Sequence, residues 1–187
     1  PLLATVPVLI ALEAWVTGGL HLDGVMDTAD GLAAGASRRL EAMEDSRVGA
    51  SGVLALVMLL FLEVAALFRL GSSAPIALLL AGFWGRVAPL WAMGRFDYLR
   101  PEGSAAFHRR YGRPWLDAVP ALLVLPLLAW LSDPLSALAG LPVALLCAER
   151  LGRRLGGHTG DSYGATLVLT EGLTLLVLSL MPAAVSA

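Results

Sequence analysis

The sequence predicts an all-α fold, a polytopic transmembrane helix bundle of about six spans in one integral membrane domain over residues 1–187. Three observations carry this. Hydrophobic residues make up 57% of the chain and charged residues 15%, against ~45–50% and ~25% in soluble domains. The apolar residues fall in long blocks, not in short alternating runs. The basic residues, all of them arginine, gather in alternate connections between the blocks.

A spanning helix needs ~20 mostly apolar residues. Residues 1–20 form the first segment, interrupted by Glu13. Residues 49–70 form the second, with Glu63 inside it, and 74–93 the third, carrying Arg86. The fourth is 116–131, the fifth 135–148, short for a full span, and the sixth 163–181, containing Glu171. Tight turns at 71–75 and 132–134 join segments two to three and four to five. The other connections are long and basic. Residues 21–48 carry Arg38, Arg39 and Arg47; 94–115 carry Arg95, Arg100, Arg109, Arg110 and Arg113; 149–162 carry Arg150, Arg153 and Arg154. With six spans all three lie on one side, and their charge makes that side cytoplasmic. Trp15, Trp84, Trp91, Trp115 and Trp130 lie mostly near segment ends, as interfacial anchors do. Cys147 has no partner for a disulfide and reads as packing. The chain opens at Pro1, inside an apolar segment with no basic stretch before it. This does not read as a signal peptide, and a further N-terminal segment of the full-length protein is expected.

The chemistry concentrates at the end of the first segment. Asp23, Asp27 and Asp30 stand at i, i+4 and i+7, close to one face of a helix. Three carboxylates at a membrane surface are costly unless neutralised, and a divalent cation such as Mg²⁺ does so while binding phosphate oxygens. Gly24 and Gly31 would leave room beside them for a bulky substrate. Next, Glu44, Asp45 and Ser46 suit the N-terminus of the second span. Arg47 also suits a phosphate beside the metal, with Gly49 and Gly52 allowing close approach. A glycine-rich turn, Gly156-Gly157-His158-Thr159-Gly160-Asp161, opens the last span and would offer backbone N–H groups to an anion. Asp161 would reach a metal held by the first motif. Within the membrane, Glu13, Glu63, Arg86 and Glu171 are functional candidates, and Glu63 with Arg86 could pair across neighbouring helices.

These motifs resemble the cobalamin synthase (adenosylcobinamide-GDP ribazoletransferase) family. The likeness rests on Thr17-Gly-Gly-Leu-His-Leu-Asp23-Gly, Asp27-Thr-Ala-Asp30-Gly, Asp45-Ser-Arg-Val-Gly49, Arg100-Pro-Glu-Gly103, Gly157-His-Thr-Gly-Asp161 and Leu169-Thr-Glu171, in the family's order along nearly the whole chain. The resemblance implies a multi-pass enzyme of the bacterial inner membrane with cytoplasmic active-site loops. It would join adenosylcobinamide-GDP to α-ribazole, or its 5′-phosphate, with Mg²⁺ as cofactor and GMP as product, at the nucleotide-loop stage of cobalamin assembly. No nucleic acid is implied, and self-association is left open. On this reading Asp23, Asp27, Asp30 and Asp161 hold metal. Arg47, Arg100, Gly156, Gly157, Thr159 and Gly160 hold substrate. One aspartate, Asp27 or Asp30, or else His21 or His158, takes the hydroxyl proton.

Two other readings are distinguishable. A CDP-alcohol phosphotransferase also uses spaced aspartates, but in a different order. An ion-coupled transporter would depend on Glu13, Glu63 and Glu171 instead of Asp23, Asp27, Asp30 and Asp161.

Overall fold

The computed structural model describes residues 2–100, 102 and 105–181, and these are helices joined by short turns. In chain order they are α1 (Leu2–Val16), α2 (Leu20–Ala33), α3 (Arg39–Ala42), α4 (Ala50–Leu70), α5 (Ala74–Arg95), α6 (Ala106–Tyr111), α7 (Pro114–Asp117), α8 (Val119–Leu131), α9 (Pro134–Leu138), α10 (Gly140–Leu155) and α11 (Gly160–Leu180).

Helix α11 is the axle of the bundle, packed against α2, α4, α5 and α10. Its hydroxyl stripe Ser162, Thr166, Thr170 and Thr174 is fully buried. Thr166 Oγ1 donates to the Ser162 carbonyl at 2.7 Å and Thr170 Oγ1 to that of Thr166 at 2.6 Å. Bonding back one turn lets these polar residues sit in an apolar core.

Four stretches are long and apolar enough to cross a membrane: Ala50–Arg95, Pro114–Leu131, Pro134–Leu155 and Gly160–Leu180; the bent pair α1–α2 makes a fifth if it counts as one. The first of these runs 46 residues, about 69 Å of helix, twice a bilayer's ~30 Å core. It is a hairpin. Arg69, at the end of α4, donates to the Ser179 carbonyl. Ala77 and Leu80, at the start of α5, share a core cluster with Leu175 and Leu178. Farther along, Gly172 lies against Glu63 and Gly85 against Glu171. The two legs therefore run in opposite directions along α11.

This topology sorts the connections by end. Ser73, Ser132 and Asp133 of the two tight turns line one cavity with Ser136, Ser179 and Met181. The arginine-bearing segments meet at the other end, where Arg39 donates to the Leu155 carbonyl and Arg100 to Asp161.

Three expectations need correction. The first segment is not one span to residue 20, because Gly18 and Gly19 take φ of 62° and 71° and turn α1 into α2 through 87°. Only glycine adopts such φ values without strain. The supposed 149–162 loop is mostly helix, since α10 continues to Leu155 and carries Arg150, Arg153 and Arg154 on its last turns. Finally, Trp84 is no interfacial anchor. It is buried against Gly140 with Nε1 donating to the Ala137 carbonyl at 2.8 Å, whereas Trp15 and Trp130 are each 79% exposed.

Gly19→Val is expected to cost ~1–2 kcal/mol through the left-handed strain it imposes. Thermal unfolding of the detergent-solubilised protein would measure this, and an unchanged midpoint would contradict the hinge.

Candidate active site

The site begins where two helices touch without side chains between them. A Cβ on Gly24 would lie 2.5 Å from the Asp161 backbone oxygen, so α2 meets the first turn of α11 backbone to backbone. One turn deeper, Gly164 lies beside His21. Helix α2 thus runs antiparallel to α11 and carries its last turns past the α11 N-terminus.

Those last turns reach α4. Asp30 accepts hydrogen bonds from Gly49 N (to Oδ2, 2.7 Å) and Gly52 N (to Oδ1, 2.8 Å). The first N–H groups of a helix have no partner within it, and the N-cap of α4 is Gly49, which has no side chain to offer. A carboxylate from another helix supplies the cap and meets the positive end of the dipole. Cβ atoms at Gly49 and Gly52 would fall 2.4 and 2.6 Å from Asp30 oxygens. These glycines therefore admit Asp30, not a phosphate, and Glu44, Asp45 and Ser46 do not cap this helix. Likewise Gly24 and Gly31 make no room for substrate, since Gly31 is filled by the Met43 side chain.

Asp27, half-buried, faces the centre of the cluster, in the field of Asp23, Asp161, Arg100 and Asp30. Asp161 sits in the first turn of α11 and accepts from Arg100 Nη1 at 2.7 Å. Arg100 also forms an ion pair with Glu44, Nε to Oε1 3.3 Å. Its Nε and Nη2 are buried without a hydrogen-bond partner among the described residues. Nε faces the Glu44 carboxylate, so Nη2 is the donor left without a partner there.

The turn between α10 and α11 positions Arg100. His158 N donates to the Asp97 carbonyl and Leu99 N to the His158 carbonyl, each at 2.8 Å. This bridge holds residues 97–99 extended, with Arg100 at their end. Thr159 caps α11 reciprocally with Ser162. The turn offers little to an anion, contrary to expectation. Gly156 N and Gly157 N donate to the Gly152 carbonyl at 2.9 Å each, and Thr159 N to Ser162 Oγ at 2.8 Å. Gly156, at φ 83°, closes α10, and a Cβ on Gly157 would strike the Asp97 carbonyl at 2.6 Å. Gly156, Gly157 and Thr159 build the backbone, and Gly160 starts α11 beside Asp161.

Both histidines stand apart from the aspartates. His158 is fully buried, stacked on Tyr163 at 5.2 Å. Nε2 lies 3.2 Å from the Ala148 carbonyl, which only accepts, so Nε2 carries the hydrogen and Nδ1 accepts from Ser162 Oγ at 3.0 Å. Burial pushes the ring down to about 4, so it stays neutral. With both nitrogens engaged inside the core, it is a structural residue and not a base. His21 lines a small internal pocket with Glu13, Thr17 and Glu63. Arg47 is exposed and closes on Asp45, with Nη2 to Oδ2 at 2.6 Å. That bond holds the Asp45 carboxyl at about 2. Among the described residues no hydrogen bond or ion pair joins Arg47 to Asp23, Asp27, Asp30 or Asp161.

The anticipated four-aspartate metal set is not assembled. Among the described residues no three His, Cys, Asp or Glu side chains gather to hold a metal. Asp30 is engaged by α4 and Asp161 by Arg100. Asp23 and Asp27 remain. One or two carboxylates plus substrate phosphates are the usual Mg²⁺ set, so the donor chemistry fits the ion. The Phe96-Asp97-Tyr98 stretch, given no place by the sequence analysis, is held beside Arg100 by the backbone bridge to His158.

The intramembrane charges form a separate group. Arg86 pairs with Glu171, not with Glu63. Both line an aliphatic cavity of about 630 Å³ with Glu13 and Glu63. Glu171 lies ten residues along α11 from Asp161, ~15 Å deeper.

The family model described as Cobalamin-5-phosphate synthase matches residues 1–179. The chain belongs to this family. A relative from Prochlorococcus marinus (strain MIT 9303), named adenosylcobinamide-GDP ribazoletransferase, is 57% identical over 97% of this chain and 75% of its own length. Relatives of the same name from Thermosynechococcus vestitus (46% identical; 90% of this chain, 70% of the relative) and Trichormus variabilis (38%; 97% and 76%) extend the cobalamin-5-phosphate synthase match. No solved structure matches.

Two outcomes test this geometry. Asp30→Ala leaves two N–H groups of α4 uncapped and is expected to cost ~1–2 kcal/mol, read as a lowered unfolding midpoint. His158 binds its proton less readily folded than unfolded, so its stability contribution is complete above pH ~6.5. It declines as pH falls from there towards about 4. Midpoints measured across that window should drop, and less so in His158→Gln.

Proposed function

We propose that this chain is an adenosylcobinamide-GDP ribazoletransferase that joins adenosylcobinamide-GDP to α-ribazole, or its 5′-phosphate, and releases GMP in cobalamin biosynthesis. Family membership across residues 1–179 supports the reaction. The observation that carries its location is Arg100, bound to Asp161 beside Asp27 with its Nη2 unpartnered among the described residues. The arginine asymmetry supports a cytoplasmic position for this end of the bundle.

In the reaction a hydroxyl oxygen of the ribazole attacks the cobinamide-side phosphorus of the diphosphate. The bond from that phosphorus to the bridging oxygen breaks, and GMP leaves with its electrons. Such transfer is mainly a matter of positioning and charge stabilisation. Arg100 offers its Nη2 to a phosphate oxygen, and Asp161 and Glu44 orient its guanidinium. Asp27 stands where it can hold the attacking hydroxyl and accept its proton. Asp23 and Asp27 are the residues that would hold Mg²⁺, which when bound neutralises diphosphate charge. Asp30 ties α2 to α4 so that Asp27 keeps its place.

The test is GMP release by purified full-length protein given adenosylcobinamide-GDP and α-ribazole, with and without Mg²⁺. Asp27→Ala is expected to lower turnover by a factor of at least ~100 while inserting and unfolding like wild type. Chelation should stop release and added Mg²⁺ restore it. Glu171→Gln, in the deeper charge group, should keep transferring. Wild-type turnover by Asp27→Ala would sink the site, and CMP release from a CDP-alcohol would point to the neighbouring phosphotransferase class.

A further inference from the structure

We propose that the small pocket walled by Phe96, Tyr98 and Tyr163 binds the guanine base of the nucleotide end, and that Asp97 selects it. The inference rests on the transferase reading above. It names the substrate part held beside that site.

The reaction brings two heteroaromatic bases into one enzyme, a guanine and a benzimidazole, and each must find its own place. The pocket has a volume of about 160 Å³ and is lined also by Asp97, His108 and Pro114. That is room for a bicyclic base but not for a whole nucleotide or a corrin ring. Its position suits a nucleotide. Tyr98 lies two residues before Arg100 and Tyr163 two residues after Asp161. From Asp97 to Arg100 the extended backbone covers ~10 Å, comparable to the reach from a base to its diphosphate. The large aliphatic cavity, a further ~15 Å down α11, cannot serve a base joined to that diphosphate.

The walls are held in advance. Tyr98 stacks on Tyr163 at 6.0 Å, and Tyr163 on the buried His158 at 5.2 Å. Tyr98 Oη accepts from Ala105 N at 3.2 Å. Aromatic walls of this kind hold nucleobases in many proteins.

Asp97 supplies the choice of base. Its carbonyl is fixed by His158 N. Its exposed carboxylate makes no hydrogen bond or ion pair with a described residue, because Arg95 is engaged by Glu149 and Arg100 by Glu44 and Asp161. A carboxylate only accepts. Guanine presents two adjacent donors, N1–H and the N2 amine, to such a group. Hypoxanthine presents one, adenine sets an acceptor beside its donor, and the benzimidazole of ribazole has no donor at all.

The test compares GMP, IMP and AMP binding to the purified full-length protein in detergent by calorimetry. It also measures α-ribazole binding and GMP release from adenosylcobinamide-GDP. Wild type should bind GMP more tightly than IMP, and IMP more tightly than AMP. Asp97→Asn should weaken GMP about 10- to 100-fold, raise KM for adenosylcobinamide-GDP more than it lowers kcat, and leave AMP and α-ribazole unchanged. Equal GMP and AMP binding by wild type overturns the pocket assignment without any variant. So does unchanged GMP binding by Asp97→Asn, or loss of α-ribazole in place of GMP. If wild type neither binds GMP nor releases it, the transferase reading itself fails.

Discussion

Gly24 rests on the backbone carbonyl of Asp161, and everything at the polar end of the bundle follows from that contact. Backbones this close bring α2 and α11 into register, so the turn of α2 that follows must overshoot the α11 N-terminus. The overshoot carries Asp27 to Asp161 and Arg100, and it carries Asp30 to the start of α4. Any side chain at residue 24 would push α2 outward and separate all of these pairs together. The same logic explains the 87° hinge before it. Without the two left-handed glycines, α1 would continue straight and α2 could not lie along α11.

Asp30 shows how a polar group can be structural inside a site. It has the residue type and spacing of a metal ligand, yet both of its oxygens cap α4. A charged acceptor among buried helix ends stabilises most where water is scarce. The two glycines opposite it exist because the carboxylate occupies the space their side chains would need. His158 follows the same pattern. Its neutral ring, held by Ala148 and Ser162, locks the turn that positions Arg100. The proposed transfer calls on fewer groups, Asp23, Asp27, Asp161 and Arg100, around which these supports are arranged.

The segments were legible because hydrocarbon imposes a length and an apolar composition on anything that crosses it. The end at which the site lies was legible because arginines crowd into alternate connections. Legible too were the aspartate face of α2 and the approach of Asp161 to it. Not legible was the division of labour among identical carboxylates. Asp27 and Asp30 differ only in what lies opposite, and for Asp30 that is a backbone 19 to 22 residues away in sequence. The pairing of Arg86 with Glu171 instead of Glu63 was hidden for the same reason. Sequence names the charges in a membrane core, but α11, not α4, presents the acid that Arg86 reaches.

Sequence alone determined the all-helical membrane bundle, the family, and the set of residues from which a site could be made. Hydrophobic length, loop charge and short-range spacing are local properties, and the chain carries them without being folded. Only the tertiary structure decided which aspartate caps a helix, which histidine is core, which glycines admit a neighbour, and where Arg100 finds Asp161. Those outcomes depend on interhelical distances of a few ångströms, set by close packing between residues far apart in the chain.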